Sequence, residues 1–270
     1  YPEGTAEAYG GKAENEPAEA VQLQAEDEPA EAVRAQAQDE AAVAVQDETA
    51  ETVQAEEAQG IVVALDPGHS ANIPAGSEPL GPGSAEMKPR DAVGTRGTAT
   101  GVMEYDLVLD ICLALKDELV ARGYTVILTR TSNSDSISCM ERANMANAAG
   151  ASAFIRVHAD GSETASVHGA SVFCISSSNP FTPSSYALSR KLSEAVISSY
   201  CAATGCYNRG VYEVDNLSGN NWSQVPTTLV ELGFMTNPEE DALMSQADYR
   251  SRMVKGLADG IDLYFSSAFQ

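Results

Sequence analysis

The chain has 270 residues, 39 acidic and 16 basic, with a formal net charge of −23 and a pI near 4.3. That acid surplus excludes a phosphate-binding nucleic-acid surface and a patch docked on anionic lipid. No apolar run is longer than Ile61–Leu65, far short of the roughly 20 residues a membrane span needs, and the opening Tyr1-Pro2-Glu3 lacks the basic start and apolar stretch of a secretory leader.

Residues 1–60 carry 16 acidic side chains against Lys12 and Arg34, a net charge of −14. They contain no Phe, Trp, Ile, Cys or Met, and Leu23 is the single leucine. Such a segment cannot bury enough apolar surface to offset its ordering entropy. Glu16-Pro17-Ala18-Glu19-Ala20-Val21 recurs at Glu28-Pro29-Ala30-Glu31-Ala32-Val33, so the segment is expected to be a disordered acidic spacer.

Residues 61–270 are a different polymer, long enough for one domain with a substantial core. Ile61–Leu65 reads as a strand closed by the turn Asp66-Pro67-Gly68. Residues 70–101 are rich in Gly, Pro, Ser and Thr without periodicity, and loops of that length in compact domains are usually functional; a cover over the site is one expected use. Apolar residues at helical spacing predict a helix from Glu104 to Arg122, with Gly123 as its stop. Tyr124–Thr129 reads as a strand. Ser138 with Glu141 three residues on predicts a capping box opening a helix through Ala149. Ala153–Val157 and Gly169–Ile175 read as strands, 183–203 as a helix, the surroundings of Val211 as a weak strand, Thr227–Glu231 as a strand, and 238–265 as one or two helices.

Strands alternating with helices predict an α/β fold: a single layered domain whose central sheet is mostly parallel and flanked by helices. Ligands bind outside the carboxyl ends of such strands. His69, His158 and Glu231 follow or end three separate strands and could meet there. Of the five cysteines, Cys112 falls on the core face of its helix, and Cys201 and Cys206 could close a small loop. The odd count leaves at least one thiol unpaired in a monomer, the expected state.

Two strand-end histidines need a third ligand to hold a metal, and Glu104, opening a helix after a glycine-rich loop, is the best candidate. Two histidines and one carboxylate make a catalytic zinc sphere with a fourth position open to water. Glu231, ending an apolar strand where an unpaired carboxylate is costly, is the candidate general base that passes the water proton to the leaving amine. No Gly-x-Ser-x-Gly elbow or phosphate-binding loop offers a different chemistry.

Several stretches together resemble the zinc-dependent N-acetylmuramoyl-L-alanine amidases of the Amidase_3 family. They are Val62-Val63-Ala64-Leu65-Asp66-Pro67-Gly68-His69, Gly101-Val102-Met103-Glu104, Glu141-Arg142-Ala143-Asn144 with Phe154 to Asp160, and Pro226 to Asn237. The resemblance implies one zinc ion on His69, Glu104 and His158, with Glu231 catalytic. It implies cleavage of the amide between N-acetylmuramic acid and L-alanine of peptidoglycan stem peptides. It also implies a bacterial, secreted or wall-associated enzyme after removal of a signal peptide, with room for a protein activator. Arg156 stands in a strand where a small or apolar residue is expected, and either pairs with an acidic neighbour or meets a substrate carboxylate. Arg156, Asp160, Asn221 and Trp222 are the candidate substrate contacts. The rival readings are a zinc carboxypeptidase of wall peptides and a non-catalytic peptidoglycan-binding module.

Overall fold

The first apolar run becomes β1 (Val62–Pro67), buried along almost its whole length. The computed structural model describes residues 60–268, so the spacer expected over 1–60 lies, apart from Gly60, outside the described residues. Within the loop expected over 70–101, two short strands, β2 (Ser77–Pro79) and β3 (Met87–Pro89), pair antiparallel. Three-residue strands are too short to show a period, so no pattern announces them.

Helix α1 (Glu104–Ala121) follows the predicted spacing, burying Leu107, Val108, Ile111, Cys112, Leu115 and Leu119. After β4 (Thr125–Leu128), α2 (Cys139–Ala148) opens on the predicted capping box: the Glu141 N–H donates to Ser138 Oγ, and the Ser138 N–H donates to the Glu141 carboxylate. Next come β5 (Ala153–Asp160), β6 (Ala170–Cys174), a 3-10 turn at Pro183–Ser185, α3 (Tyr186–Thr204) and β7 (Asn208–Glu213). The chain continues through the four-residue α4 (Ser218–Asn221), β8 (Thr227–Phe234), α5 (Pro238–Met244) and α6 (Ala247–Ala268).

Six strands form one sheet in the order β4-β1-β5-β8-β6-β7. β4, β1, β5 and β8 run parallel, as the α/β reading requires, while β6 runs antiparallel to β8 and carries β7 parallel to itself. The link over 161–169 is shorter than the dozen or so residues a parallel crossover needs, which is why β6 reverses.

Alternation along the strands gives the sheet two unlike faces. Val63, Leu65, Ile155, Val157, Val230 and Leu232 join side chains of α1, α3 and α6 in the main core. In that layer α3 and α6 touch backbone to backbone. A Cβ on Gly260 would lie 2.6 Å from Val196 Cα, and one on Gly256 would lie 2.8 Å from Tyr200 Cα.

On the other face, Ala64 and Phe154 pack on Ala143 and Ala146 of α2, with Trp222 and Val225 alongside. Further toward the carboxyl ends this face turns polar. Asp66 is fully buried between two arginines: Arg142 Nη1 donates to Oδ1 at 2.9 Å and Arg156 Nε donates to Oδ2 at 3.0 Å. The Thr129 hydroxyl adds a third bond of 2.6 Å. Burial pushes the Asp66 carboxyl up, but Arg142, Arg156 and Thr129 outweigh it and hold it well below the usual carboxylate range. Cys201 and Cys206 are free thiols with Sγ atoms 3.3 Å apart, and Cys112 lies in the core.

Candidate metal centre

β1 ends in Pro67, and the chain turns through Gly68 into His69, which takes a left-handed φ of 57°. The sequence suggests that Gly68 provides the turning freedom. In the structure the strained residue is His69, and Gly68 is needed for close approach, since a Cβ there would lie 2.3 Å from the His158 ring.

Glu104 is the first residue of α1 and only 2% exposed. The loop before it fixes the carboxylate: the Thr95 N–H donates to Oε2 at 2.7 Å while the Glu104 N–H donates back to the Thr95 carbonyl at 2.9 Å. Asp241, 2% exposed on α5, anchors that loop by accepting the N–H groups of Ala99 and Thr100 and the Thr100 hydroxyl. His158 lies within β5, not beyond it as the sequence suggests, and its register partner on β8 is Glu231.

These placements bring three donor atoms together. His158 Nδ1 lies 3.1 Å from His69 Nε2 and 3.1 Å from Glu104 Oε1, and His69 Nε2 lies 3.2 Å from the same oxygen. His69 Nδ1 faces two acceptors, the Ala92 carbonyl at 2.9 Å and Asp91 Oδ1 at 3.1 Å. Nδ1 therefore carries the proton and donates, leaving Nε2 a lone pair in the neutral ring. Asp91 is itself held by Arg142 Nη2 at 3.2 Å, so the arginine pair on Asp66 extends to His69.

Three lone-pair donors this close repel one another unless a positive charge sits among them. Burial opposes a charged His69, yet Glu104 and Asp91 outweigh it and hold its pKa well above the ordinary imidazole range. Burial dominates at His158 and lowers its pKa, with His69 opposing charge there too and Glu104 favouring it. Glu104, disfavoured by burial, is kept far below the usual carboxylate range by the two histidines. A divalent cation fits better than a proton. Donors about 2.0–2.1 Å from a tetrahedral ion stand roughly 3.3–3.4 Å apart, close to the spacing seen here. Two imidazoles and a carboxylate are also a donor set of the right hardness. His69, Glu104 and His158 are the one metal-capable group among the described residues.

Glu231 Oε2 is shielded from solvent and has no hydrogen-bond partner among the described residues, and the same is true of His158 Nε2. Burial first, then the charges of Asp160 and Glu104, push the Glu231 carboxyl well above its ordinary range against the pull of His69 and Arg156. A half-buried Asp160 follows on β5, where burial raises its carboxyl and its bond from the Gly161 N–H opposes.

The other expected substrate contacts lie elsewhere. Arg156 is 3% exposed and takes the acidic neighbour, Asp66, with Nη1 donating to Asn220 Oδ1. Asn221 is fully buried and donates to the carbonyls of Leu80 and Asp215. Trp222 packs in the Phe154 cluster with Nε1 donating to the Pro79 carbonyl. These three hold α4 against the β2–β3 hairpin and the sheet. The loop expected as a cover instead supplies Asp91, the Ala92 carbonyl and the Thr95 N–H to the site. Sequence reasoning missed these, because loop contacts carry no periodic signal.

Residues 63–262 match the family described as N-acetylmuramoyl-L-alanine amidase, Amidase_3. The chain is 33% identical over 210 residues to the N-acetylmuramoyl-L-alanine amidase Rv3717 of Mycobacterium tuberculosis, spanning 75% of this chain and 85% of that protein. It is 26% identical over 240 residues to the amidase AmiA of Escherichia coli, spanning 76% of each. Among solved structures, the N-acetylmuramyl-L-alanine amidase Ami1 of Mycobacterium smegmatis superposes with a TM-score of 0.70 at 27% identity, covering 78% of this chain and 99% of that one.

Proposed function

The chain belongs to the Amidase_3 family of N-acetylmuramoyl-L-alanine amidases, and from that premise we propose that it hydrolyses peptidoglycan with one zinc ion held by His69, Glu104 and His158 and with Glu231 as the acid–base group. It is a peptidoglycan amidase, and the bond cut joins N-acetylmuramic acid to L-alanine of the stem peptide. The observation that supports the zinc reading is the convergence of three donor atoms within 3.1–3.2 Å. Zinc bound there supplies Lewis acidity toward a water molecule and the scissile carbonyl.

The remaining chemistry falls to the chain. His69 Nδ1 and the Thr95 N–H hold two of the ligands in one orientation. The Glu231 carboxylate takes the proton of the attacking water and returns it to the departing amine of L-alanine. Its surroundings suit that task, since Oε2 is shielded from solvent and has no hydrogen-bond partner among the described residues, which leaves it free to accept and return a proton. Among the described residues no helix is long and apolar enough to cross a membrane. The substrate polymer lies outside the cytoplasmic membrane, which is where we place the enzyme.

The test is mass spectrometry of the products released from purified peptidoglycan by the zinc-loaded protein, beside Glu231→Gln. We expect stem peptides with a free L-alanine amine, reduced by about 100-fold or more in the variant, while the metal content per chain is unchanged. Fragments cut within the stem would replace the amidase reading with the carboxypeptidase one. Undiminished release by Glu231→Gln would remove Glu231 from the proton transfer.

A further inference from the structure

The site presents three carboxylates, those of Glu104, Asp160 and Glu231, in a chain of net charge −23. A stem peptide is itself anionic, carrying free carboxylates at its γ-linked acid and its diamino acid or terminus. Such a substrate needs a cation beside the metal to offset this field.

The nearby cations are mostly committed. Arg142 and Arg156 are spent on Asp66, Arg90 on Glu141, and Lys88 on Glu86. Arg130 donates to the carbonyls of Pro67, Gly68 and Tyr105. Arg96 meets no carboxylate either, but it is exposed, donates only Nε, to the Gly101 carbonyl, and has no ring among the described residues to orient its fork.

Arg209 is different. It sits near the start of β7, beside the carboxyl edge of β8, because β6 reverses and brings Ser171 level with Glu231. Its guanidinium carbon stands 5.2 Å from the centre of the Phe234 ring, and Phe234 is the register partner of Asp160. One N–H group, on Nη1, donates to the His168 carbonyl at 3.2 Å. Among the described residues it meets no carboxylate within ion-pair distance. The stacking fixes the plane of the fork while leaving its other N–H groups without a partner.

We propose that Arg209 is a specificity-determining residue whose guanidinium receives a carboxylate of the stem peptide bound at the metal centre. The inference rests on the amidase reading and adds to it which substrates are preferred. A planar fork with free N–H groups suits a carboxylate by paired, charge-assisted bonds, and a carboxamide in the same place loses both the charge and one acceptor.

The test uses two muramoyl peptides that differ only in whether the carboxylate of the second residue is free or amidated, and a second pair that differs likewise at the third residue. Wild type, Arg209→Lys and Arg209→Met are compared; methionine keeps apolar cover over Phe234 without the charge. Wild type should prefer the free carboxylate of one pair by about tenfold in kcat/KM. Arg209→Met should bring that ratio close to one through KM, and Arg209→Lys should restore part of it. Equal cleavage of both members of both pairs by wild type, or a ratio that survives Arg209→Met, would overturn this inference and leave the amidase reading standing. Cleavage of none of the four by wild-type protein that also releases nothing from whole peptidoglycan would overturn both.

Discussion

Gly68 shows how closely the ligands are packed, for a methyl group in its place would collide with the His158 ring. The ring is held in a β-strand and cannot step aside without losing its place beside Glu104. Gly68→Ala should therefore cost metal affinity by well over tenfold, read by competition with a chromophoric chelator. Asp91 acts more gently, through the Nδ1 proton of His69. Losing such an outer partner typically costs about 10–100-fold in metal affinity. The Ala92 carbonyl remains as a second acceptor at 2.9 Å, so Asp91→Ala should fall near the lower end, about tenfold, in the same competition. His69, Glu104 and His158 could be picked out as a metal-capable group because each falls at or near the expected end of a strand or helix inside a recognisable motif, although His158 proves to lie inside β5, as Glu231 does inside β8. Asp91 could not be picked out, because it reaches His69 across a loop whose path no pattern of hydrophobicity records.

At the scale of elements, the packing of α3 on α6 depends on residues that carry no side chain. Gly260→Ala sets two effects against each other. Alanine improves helix propensity by about 1 kcal/mol, while overpacking costs about 1–3 kcal/mol. The atom struck is a backbone carbon of Val196, which no rotamer change can move, so the clash should win. A net loss of about 1 kcal/mol should lower the thermal midpoint by roughly 2–4 °C, checked by calorimetry. The long helices and strands were readable because burial imposes their period. Glu141 after Ser138 marked the start of α2 through the chemistry of its cap. The β2–β3 hairpin and α4 were hidden, since each is too short to repeat a period and they are held largely by each other, through Glu78 with Ser218, Asn221 with the Leu80 carbonyl and Trp222 with the Pro79 carbonyl. The reversal of β6 could be deduced only from the shortness of its link to β5.

Across the whole molecule, the ion pairs on Asp66 tie β1, α2 and β5 together, and a hydrogen bond from Thr129, just past β4, joins them. Asp66→Asn leaves two buried arginines short of their counter-charge, and broken pairs of this kind cost about 3–5 kcal/mol. The pH dependence has a definite sign. A carboxyl whose folded pKa is depressed contributes stability above its unfolded value, near 3.9, and loses it as pH falls toward the folded value. The gap between wild type and Asp66→Asn should therefore stay constant from pH 7 to about 4 and narrow below that, measured by urea unfolding across the range. The molecule also gathers its candidate ligands and candidate base from distant parts of the chain: His69 after the first strand, Glu104 opening the first helix, His158 from the fifth strand and Glu231 from the eighth. An unfinished chain has the candidate ligands but no place where they meet. On the function proposed above, the cutting edge comes into being only when the last strand has docked.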